Sequence, residues 1–220
     1  MEHTHTEASA FTVVYSLVII VSLLGNTLLI YIVWKKPEVR SLTSFMFVNM
    51  AVADLLVTLV MMPYSIAFFH TEGKWFIKGA FGDVTCRAVT FSTYVTVMAS
   101  ILSLTFIAVD RFYAIVHPCR RRVWFRKPRI LTPLIWLLSM ALMSIIPVTY
   151  RLSRDDIYCG FNFEIWGDAA AGIRGILLYV FAVAYLIPLC VITILYVKTI
   201  LKLWFQIGRA SCRERVYVLV

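Results

Sequence analysis

Charged residues are scarce in this chain. They make up 15% of its 220 residues, whereas soluble domains carry about 25%. Hydrophobic residues, in contrast, reach 61%. A soluble domain of this composition would need an unusually large core. The composition therefore favours a chain that lipid solvates.

Other absences narrow the range of functions. No Asn-X-Ser/Thr sequon occurs, and residues 1–10 lack the basic start of a cleavable signal peptide. The histidines, His3, His5, His70 and His117, all fall in predicted loops or tails. An intramembrane enzyme needs paired acids, a histidine cluster or a serine–histidine pair inside its spans, so the sequence argues against one. The spacing of cysteine and histidine does not suggest a zinc site either.

Long uncharged runs are the dominant feature that is present. Each is near or above the roughly 18–20 apolar residues that cross a bilayer as a helix. We therefore predict an all-α membrane protein with residues 1–10 extracellular and a transmembrane domain at residues 11–206. A soluble bundle would instead require five helices that are hydrophobic on every side. The predicted spans cover about residues 11–34, 43–69, 84–116, 130–149 and 174–204.

Lysine and arginine are distributed unevenly between the predicted loops. With the N-terminus outside, the inner segments hold 15 of these residues and the outer segments hold 6. This asymmetry follows the positive-inside rule and predicts an extracellular N-terminus. The basic residues lie in short loops rather than on one soluble face. The net charge of +9 is thus explained by membrane topology, and we expect no nucleic-acid partner.

The cysteines sort by compartment in this topology. Cys86 and Cys159 fall on the outer side, where disulfides form, whereas Cys119, Cys190 and Cys212 fall inside the membrane or the cytoplasm. A Cys86–Cys159 disulfide is therefore predicted, which would pin residues 149–168 across the top of the third span. The alternative is two free thiols.

Three polar residues are expected at one depth inside the spans. Counting 1.5 Å per residue from the inner ends of their helices, Asp54, Asn26 and Ser100 lie about 12 to 15 Å deep. An ionised Asp costs roughly 2.5–3.5 kcal/mol there, so it needs a partner. We predict either an oxygen-lined site for a small hydrated cation or a structural hydrogen-bond cluster. In both cases Asp54 faces the bundle interior.

The order and spacing of these residues resemble the rhodopsin-like, or class A, G-protein-coupled receptors. The resemblance covers about residues 16–202 and implies a seven-helix bundle of which five spans are present here. It is carried by Gly25-Asn26, Asn49, Ala51-Val52-Ala53-Asp54-Leu55, Trp75, Cys86, Ser100, the run from Asp110-Arg111-Phe112 to His117-Pro118, Trp136, Cys159, Pro188 and Tyr196.

The resemblance implies a switch at the inner end of the third span. Asp110 would hold Arg111 in the inactive state, and Arg111 would turn toward a heterotrimeric G protein and Tyr196 in the active state. Phe112 stands where the family more often has Tyr, a mild departure because the ion pair survives.

The resemblance also implies roles deeper in the bundle. Asp54, Ser100 and Asn26 would hold a structural Na⁺ with water, the sole cofactor expected. Pro188 and Ile101 would belong to the core that repacks beneath the ligand. Trp75 and Trp136 would be structural, and Trp136 is expected to pack on a neighbouring helix because it lies inside the fourth span.

The ligand is expected to be a peptide. Amine receptors of the family carry an Asp where this chain has Thr93, so the partner of an ammonium group is missing. A long, charged, tethered loop suits a hydrated peptide, and spans one and two look most like those of neuropeptide Y, neuropeptide FF and galanin receptors. Thr93, Tyr94 and Arg174 are the pocket candidates, although Arg174 can equally be a solvated rim charge.

The end of the chain departs from the family. The motifs of spans six and seven are absent, so we expect a receptor truncated after the fifth span that cannot signal alone. Residues 207–216 resemble a translated sequencing adapter, which predicts that residues 207–220 are a non-native tail. The full receptor would be a multi-pass plasma-membrane protein in contact with lipid. The alternatives are a small transporter or channel, or a five-span dominant-negative variant.

Overall fold

The computed structural model describes residues 5–116, 127–153, 155, 157–162 and 167–218. Residues 1–4 of the predicted N-terminal segment and residues 219–220 of the predicted tail lie outside this part. The helices are α1 (His5–Lys35), α2 (Leu42–His70), α3 (Gly79–Val116), α4 (Pro128–Leu142), α5 (Ile146–Thr149), α6 (Ala169–Val180) and α7 (Ile187–Val218). A 3₁₀ helix covers Pro37–Val39, a π-helical segment covers Phe181–Leu186, and two strands, β1 (Tyr150–Leu152) and β2 (Cys159–Phe161), form a hairpin.

These elements provide five stretches that are long and apolar enough to cross a membrane, which confirms the predicted all-α membrane fold. We call them spans one to five. The β1–β2 hairpin between spans four and five was not predicted. The spans are Ala8–Lys35, Leu42–His70, Gly79–Val116, Pro128–Thr149 and Ala170–Phe205.

Local sequence signals set where several helices begin. Ser41 caps α2 by accepting a hydrogen bond from the backbone N–H of Ser44 at 3.1 Å. The Asp168 carboxylate caps α6 in the same way, accepting from the N–H of Ala170 at 2.9 Å. These side chains satisfy N–H groups that have no partner within the helix. Pro128 opens α4, where its missing N–H removes no hydrogen bond of the helix.

Prolines lie where the helices of spans four and five become irregular. In span five, Phe181–Leu186 is π-helical and Ile187 donates its N–H back to the carbonyl of Ala182. Pro188 follows, and it cannot donate the next bond because it has no N–H. In span four, α4 ends at Leu142 and the chain resumes as α5, which contains Pro147.

Span three lies at the centre of the packing. It contacts α2, α4, α5, β1 and α7, whereas α1 packs mainly on α2. Two clusters of buried side chains line it on the inner and outer halves of the bundle. The inner cluster is Met46, Ala99, Ile107, Leu131 and Ile135, and the outer one is Val95, Met98, Met143, Ile146 and Ile176.

The tail prediction is not tested by this architecture. α7 continues through residues 207–218, and the hypothesis that residues 207–220 are non-native stays a prediction. Its test remains the nucleotide sequence that encodes this segment.

Candidate functional site

A disulfide ties the β1–β2 hairpin to the outer end of span three. Cys86 and Cys159 are bonded, with their Cα atoms 5.7 Å apart. The hairpin is antiparallel, with Tyr150 opposite Phe161. The hairpin has a second attachment through its first strand, because the backbone N–H of Leu152 donates to the Asp83 carboxylate at 3.0 Å. The hairpin is therefore fixed over span three at both strands.

Two aromatic residues of this hairpin, Tyr150 and Phe161, form a cluster with Tyr94 of span three. The hydroxyls of Tyr94 and Tyr150 are 3.5 Å apart, and the rings of Tyr150 and Phe161 lie 4.5 Å apart. Burial, together with the contact to Tyr94, raises the pKa of Tyr150 above its usual value. Tyr94 of the predicted ligand pocket thus meets the loop between spans four and five through the hydroxyl of Tyr150.

The other two pocket candidates are placed differently. The Thr93 hydroxyl donates to the carbonyl of Val89 within its own helix at 2.9 Å, and Thr93 is half-buried. Arg174 is exposed near the outer end of span five. The structure therefore brings Tyr94 and the hairpin together, whereas the Arg174 side chain lies exposed.

Trp75 fixes the loop between spans two and three. It is 4% exposed, its ring lies 4.8 Å from that of Tyr64, and its indole N–H donates to the Thr85 hydroxyl at 3.3 Å. Its backbone N–H donates to the carbonyl of Ile157 at 2.6 Å. Trp75 thus joins the first outer loop to the hairpin loop.

The predicted mid-span cluster is only partly assembled. The Asn26 amide donates to the Ser22 hydroxyl at 3.2 Å, and Ser22 lies 2.6 Å from the hydroxyl of Thr58. Thr58 in turn donates to the backbone carbonyl of Asp54 at 2.7 Å. This chain links spans one and two, and sequence reasoning missed its two hydroxyl residues, which carry no charge to mark them.

Asp54 and Ser100 stand outside that chain. Within the described part of the molecule, neither the Asp54 carboxylate nor the Ser100 hydroxyl has a hydrogen-bond or ion-pair partner. Asp54 is exposed, although Thr58, one turn further along α2, is buried. From the sequence we predict instead that Asp54 faces the interior of the bundle. The cation site stays a prediction.

Asn49 joins three spans and was not among the predicted site residues. Its amide N–H donates to the Ser103 hydroxyl of span three at 2.8 Å, and its carbonyl oxygen accepts from the Trp136 indole of span four at 2.8 Å. Asn49 is 4% exposed and Ser103 is fully buried. Trp136 therefore packs on neighbouring helices through a specific polar bond as well as through its ring.

The inner end of span three carries the predicted switch. Asp110, Arg111 and Phe112 lie in the last two turns of α3. The Arg111 guanidinium donates to the hydroxyl of Thr43, in the first turn of α2, at 2.9 Å. Thr43 is 7% exposed, whereas Tyr196 on span five is exposed. Thr43, which sequence reasoning missed, is thus a partner of the switch arginine.

The remaining predicted core residues lie on packed helices. Ile101 is half-buried on α3, and Pro188 is buried near the start of α7. α3 and α7 pack together, which is compatible with the predicted shared core. A direct contact between the two side chains stays a prediction.

Comparison with known protein families agrees with the spans and motifs described above. The family model described as 7 transmembrane receptor (rhodopsin family) matches residues 25–217. The chain belongs to this receptor family.

Curated relatives within the family include receptors for neuropeptides. The chain is 31% identical to neuropeptide FF receptor 1 of Rattus norvegicus over 97% of its length and 50% of the relative. It is 31% identical to the Homo sapiens neuropeptide FF receptor 1 over 97% of the chain and 51% of the relative. It is 30% identical to the QRFP-like peptide receptor of Branchiostoma floridae over 88% of the chain and 51% of the relative. The chain spans about half the length of the curated relatives it matches.

Family membership confirms the predicted receptor class and its neuropeptide-receptor type. It also matches the predicted set of features, namely transmembrane helices and a Cys86–Cys159 disulfide. The described residues contain no cluster of His, Cys, Asp and Glu that could hold a metal ion. The predicted Na⁺ site has a single carboxylate, Asp54, beside Asn26 and Ser100, so it is a different kind of site and stays a prediction.

Proposed function

We propose that the receptor to which this chain belongs lies in the plasma membrane, binds a neuropeptide on the disulfide side and passes its occupancy to a heterotrimeric G protein on the other side, and that these five spans alone do not signal. The observation that carries the proposal is the hairpin held by Cys86–Cys159 above Tyr94. The hairpin and the aromatic cluster form a fixed, partly polar surface over the outer end of the bundle. A surface of this kind supports recognition of a hydrated peptide.

The residues around Tyr94 support a peptide over an amine. Thr93 supplies a hydroxyl already bonded to its own helix, and it offers no negative charge for an ammonium group. The rings of Tyr150 and Phe161 present broad apolar faces, which suit aromatic and aliphatic peptide side chains, and Tyr150 adds a polar hydroxyl. The named relatives are receptors for neuropeptide FF and for a QRFP-like peptide, so these are the first ligands to test.

The opposite end of the bundle supports coupling to a G protein. Arg111 lies at the end of span three and donates to the Thr43 hydroxyl, a bond that its movement toward a G protein would break. Lysine and arginine are concentrated in the segments on this side, so the positive-inside rule places it in the cytoplasm. The N-terminus is then extracellular.

A Na⁺ ion at Asp54 is part of this proposal. Hard cations prefer oxygen ligands. The Asp54 carboxylate and the Ser100 hydroxyl have no partner within the described part of the chain, so both oxygens are available. The Asn26 amide is engaged with Ser22, so it would serve by orienting the Ser22–Thr58 chain beside Asp54. Bound Na⁺ would neutralise the charge of the carboxylate inside the membrane span.

The test is saturable binding of fluorescent neuropeptide FF and QRFP-like peptide to cells that express the receptor. We expect binding that the Cys86→Ser/Cys159→Ser variant loses and that Cys190→Ser, at an exposed free cysteine, retains. Ligand-stimulated nucleotide exchange on a G protein should likewise be lost in Cys86→Ser/Cys159→Ser and retained in Cys190→Ser. Absence of binding with both peptides, together with peptide-independent ion or solute flux, would favour the transporter or channel alternative.

The orientation has its own measurement. An epitope tag at residue 1 should be labelled by antibody on intact cells, and a tag at residue 220 only after permeabilisation. The opposite labelling pattern would overturn both the assigned ligand side and the assigned G-protein side.

A further inference from the structure

A crevice runs along the outer halves of spans two, three and four, on the side that faces lipid. Its deeper part is an apolar cavity of about 230 Å³ lined by residues that include Val57, Val60, Val95, Trp136 and Met140. Val60 and Met140 are 37% and 39% exposed, so the cavity opens between spans two and four. In a membrane this opening meets hydrocarbon.

The bond between Asn49 and Trp136 explains why the crevice exists. It ties spans two and four together at 2.8 Å, about 10 Å from the inner end of α2 at 1.5 Å per residue, and Trp136 forms part of the cavity wall. Val60 lies eleven residues further along α2, about 16 Å away at 1.5 Å per residue. The helices are joined at the lower end and leave a gap toward the outer end.

A second cavity of about 440 Å³ continues the crevice outward. It is lined by Asp83, Arg87 and Pro147, among others, and Phe91 lines both cavities. Arg87 pairs with Asp83 through Nη2, and its Nε–H, which is buried, has no hydrogen-bond partner in the described part of the molecule. A guanidinium carries five N–H donors, so this pairing leaves donors for a further anionic oxygen.

The dimensions of the crevice match one leaflet of a bilayer. From Arg87 to Thr96, the deepest α3 residue that lines it, is nine residues, or about 14 Å along the helix. Half of a hydrocarbon core of roughly 30 Å is about 15 Å. The charged pair is therefore at the level of a headgroup, and the apolar cavity reaches the midplane, so the spacing between them matches the length of one lipid.

We propose that this crevice binds one phospholipid, with its phosphate on Arg87 and one acyl chain in the cavity against Trp136. Arginine matches phosphate geometry through paired N–H donors. The Asp83 carboxylate beside it makes the mouth of the crevice electrically neutral overall, which suits a zwitterionic headgroup such as phosphocholine. Thr93, a candidate for the peptide pocket, also lines the cavity, but the phospholipid assignment rests on Arg87 and the apolar lining and does not depend on the identity of the peptide.

The experiment uses the whole chain in nanodiscs of phosphatidylcholine that contain phosphatidylcholine with a photoreactive diazirine. With the diazirine at mid-chain, we expect mass spectrometry to find crosslinks concentrated on Val57, Val95 and Met140. With the diazirine near the glycerol, we expect them between Arg87 and Phe91. Crosslinks spread evenly over lipid-facing residues such as Leu24 and Leu59 would mean bulk annular lipid and would overturn the proposal.

Two matched variants sharpen the result. Val60→Trp should fill the opening and lower the mid-chain crosslinks in the cavity roughly tenfold, whereas Leu59→Trp, one residue away on the exposed face, should not. Unchanged crosslinks in Val60→Trp, with an unchanged elution profile on size exclusion, would also overturn it.

The headgroup contact is tested at Arg87. Arg87→Gln should lower the crosslink yield roughly tenfold, the effect of losing one charge-assisted hydrogen bond, and Arg87→Lys should lower it less. If cholesterol instead displaces the probe while Arg87→Gln has no effect, the occupant is a sterol and the phospholipid assignment is wrong.

Discussion

The Nη2 atom of Arg111 lies 2.9 Å from the hydroxyl oxygen of Thr43. This bond joins the end of span three to the start of span two, and it is made by the arginine that the sequence analysis assigns to G-protein coupling. Thr43 is buried, so the hydroxyl is a fixed acceptor rather than a solvated one. Release of Arg111 toward a G protein therefore requires this bond to break.

Thr43→Val should raise ligand-independent activity of the receptor. Valine keeps the shape of threonine but offers no acceptor, so Arg111 is freed from its inactive position. A hydrogen bond to a charged group contributes about 1.5–3 kcal/mol, and interhelical bonds in membranes average about 0.6 kcal/mol, so we expect a roughly three- to tenfold rise. The measurement is basal nucleotide exchange at equal surface expression.

The control is Thr105→Val, which removes a hydroxyl that donates within α3, to the carbonyl of Ile101 at 2.9 Å. It should leave basal exchange unchanged. Equal basal exchange in Thr43→Val and in the unmodified receptor would show that the Thr43 bond does not restrain Arg111.

The bond between Asn49 and Trp136 should be measurable as a coupling energy. Asn49→Leu leaves the Trp136 indole N–H and the Ser103 hydroxyl without this partner, and we expect a loss of about 1–3 kcal/mol in the free energy of unfolding. Trp136→Phe removes the N–H and keeps an aromatic ring. Unfolding in mixed micelles of the two single variants and the double variant should give a coupling of about 0.6 to 1.7 kcal/mol. Strictly additive losses would contradict the direct bond.

The sequence predicts the spans and the disulfide because both depend on coarse physical properties. Uncharged runs of sufficient length mark helices that lipid can solvate, and the positions of Cys86 and Cys159 relative to those runs place both on the oxidising side. The hairpin could not be predicted in this way. Its strands, Tyr150–Leu152 and Cys159–Phe161, have three residues each, too few to show an alternating pattern.

The polar contacts between helices were also beyond sequence reasoning. Asn49 and Thr43 are uncharged, and helices that are apolar on nearly every side give little indication of which face meets which neighbour. The rotation of each helix decides these pairings. The same rotation leaves Asp54 exposed beside the buried Thr58, where a depth estimate alone places it with Ser100.

Loss of the disulfide should loosen the hairpin more than the bundle. The bond closes a loop with a sequence separation of 73 residues, and removing such a bond typically lowers the free energy of unfolding by about 2–4 kcal/mol. We expect Cys86→Ser/Cys159→Ser to unfold at lower temperature and to exchange backbone hydrogens faster in residues 150–161. Cys190→Ser should match the unmodified chain on both measures. Unchanged exchange in the double variant would mean that the contacts of Asp83 and Trp75 suffice to hold the hairpin.

Gly82 is expected to be intolerant of any side chain. A Cβ atom at this position would lie 2.2 Å from the carbonyl oxygen of Ile77, closer than real Cβ atoms approach backbone. Gly82→Ala should therefore shift the backbone at the start of α3, beside Asp83 and Leu152, and destabilise the chain by about 1–3 kcal/mol. Gly175→Ala is the matched control, because its Cβ would meet nothing within 4 Å and alanine favours a helix by up to about 1 kcal/mol. Thermal unfolding in detergent should separate the two, with Gly82→Ala melting lower and Gly175→Ala at or above the unmodified chain. Equal melting temperatures would show that the loop before α3 relaxes to admit a methyl group. The close approach of Gly82 to Ile77 would then not be needed to position the hairpin.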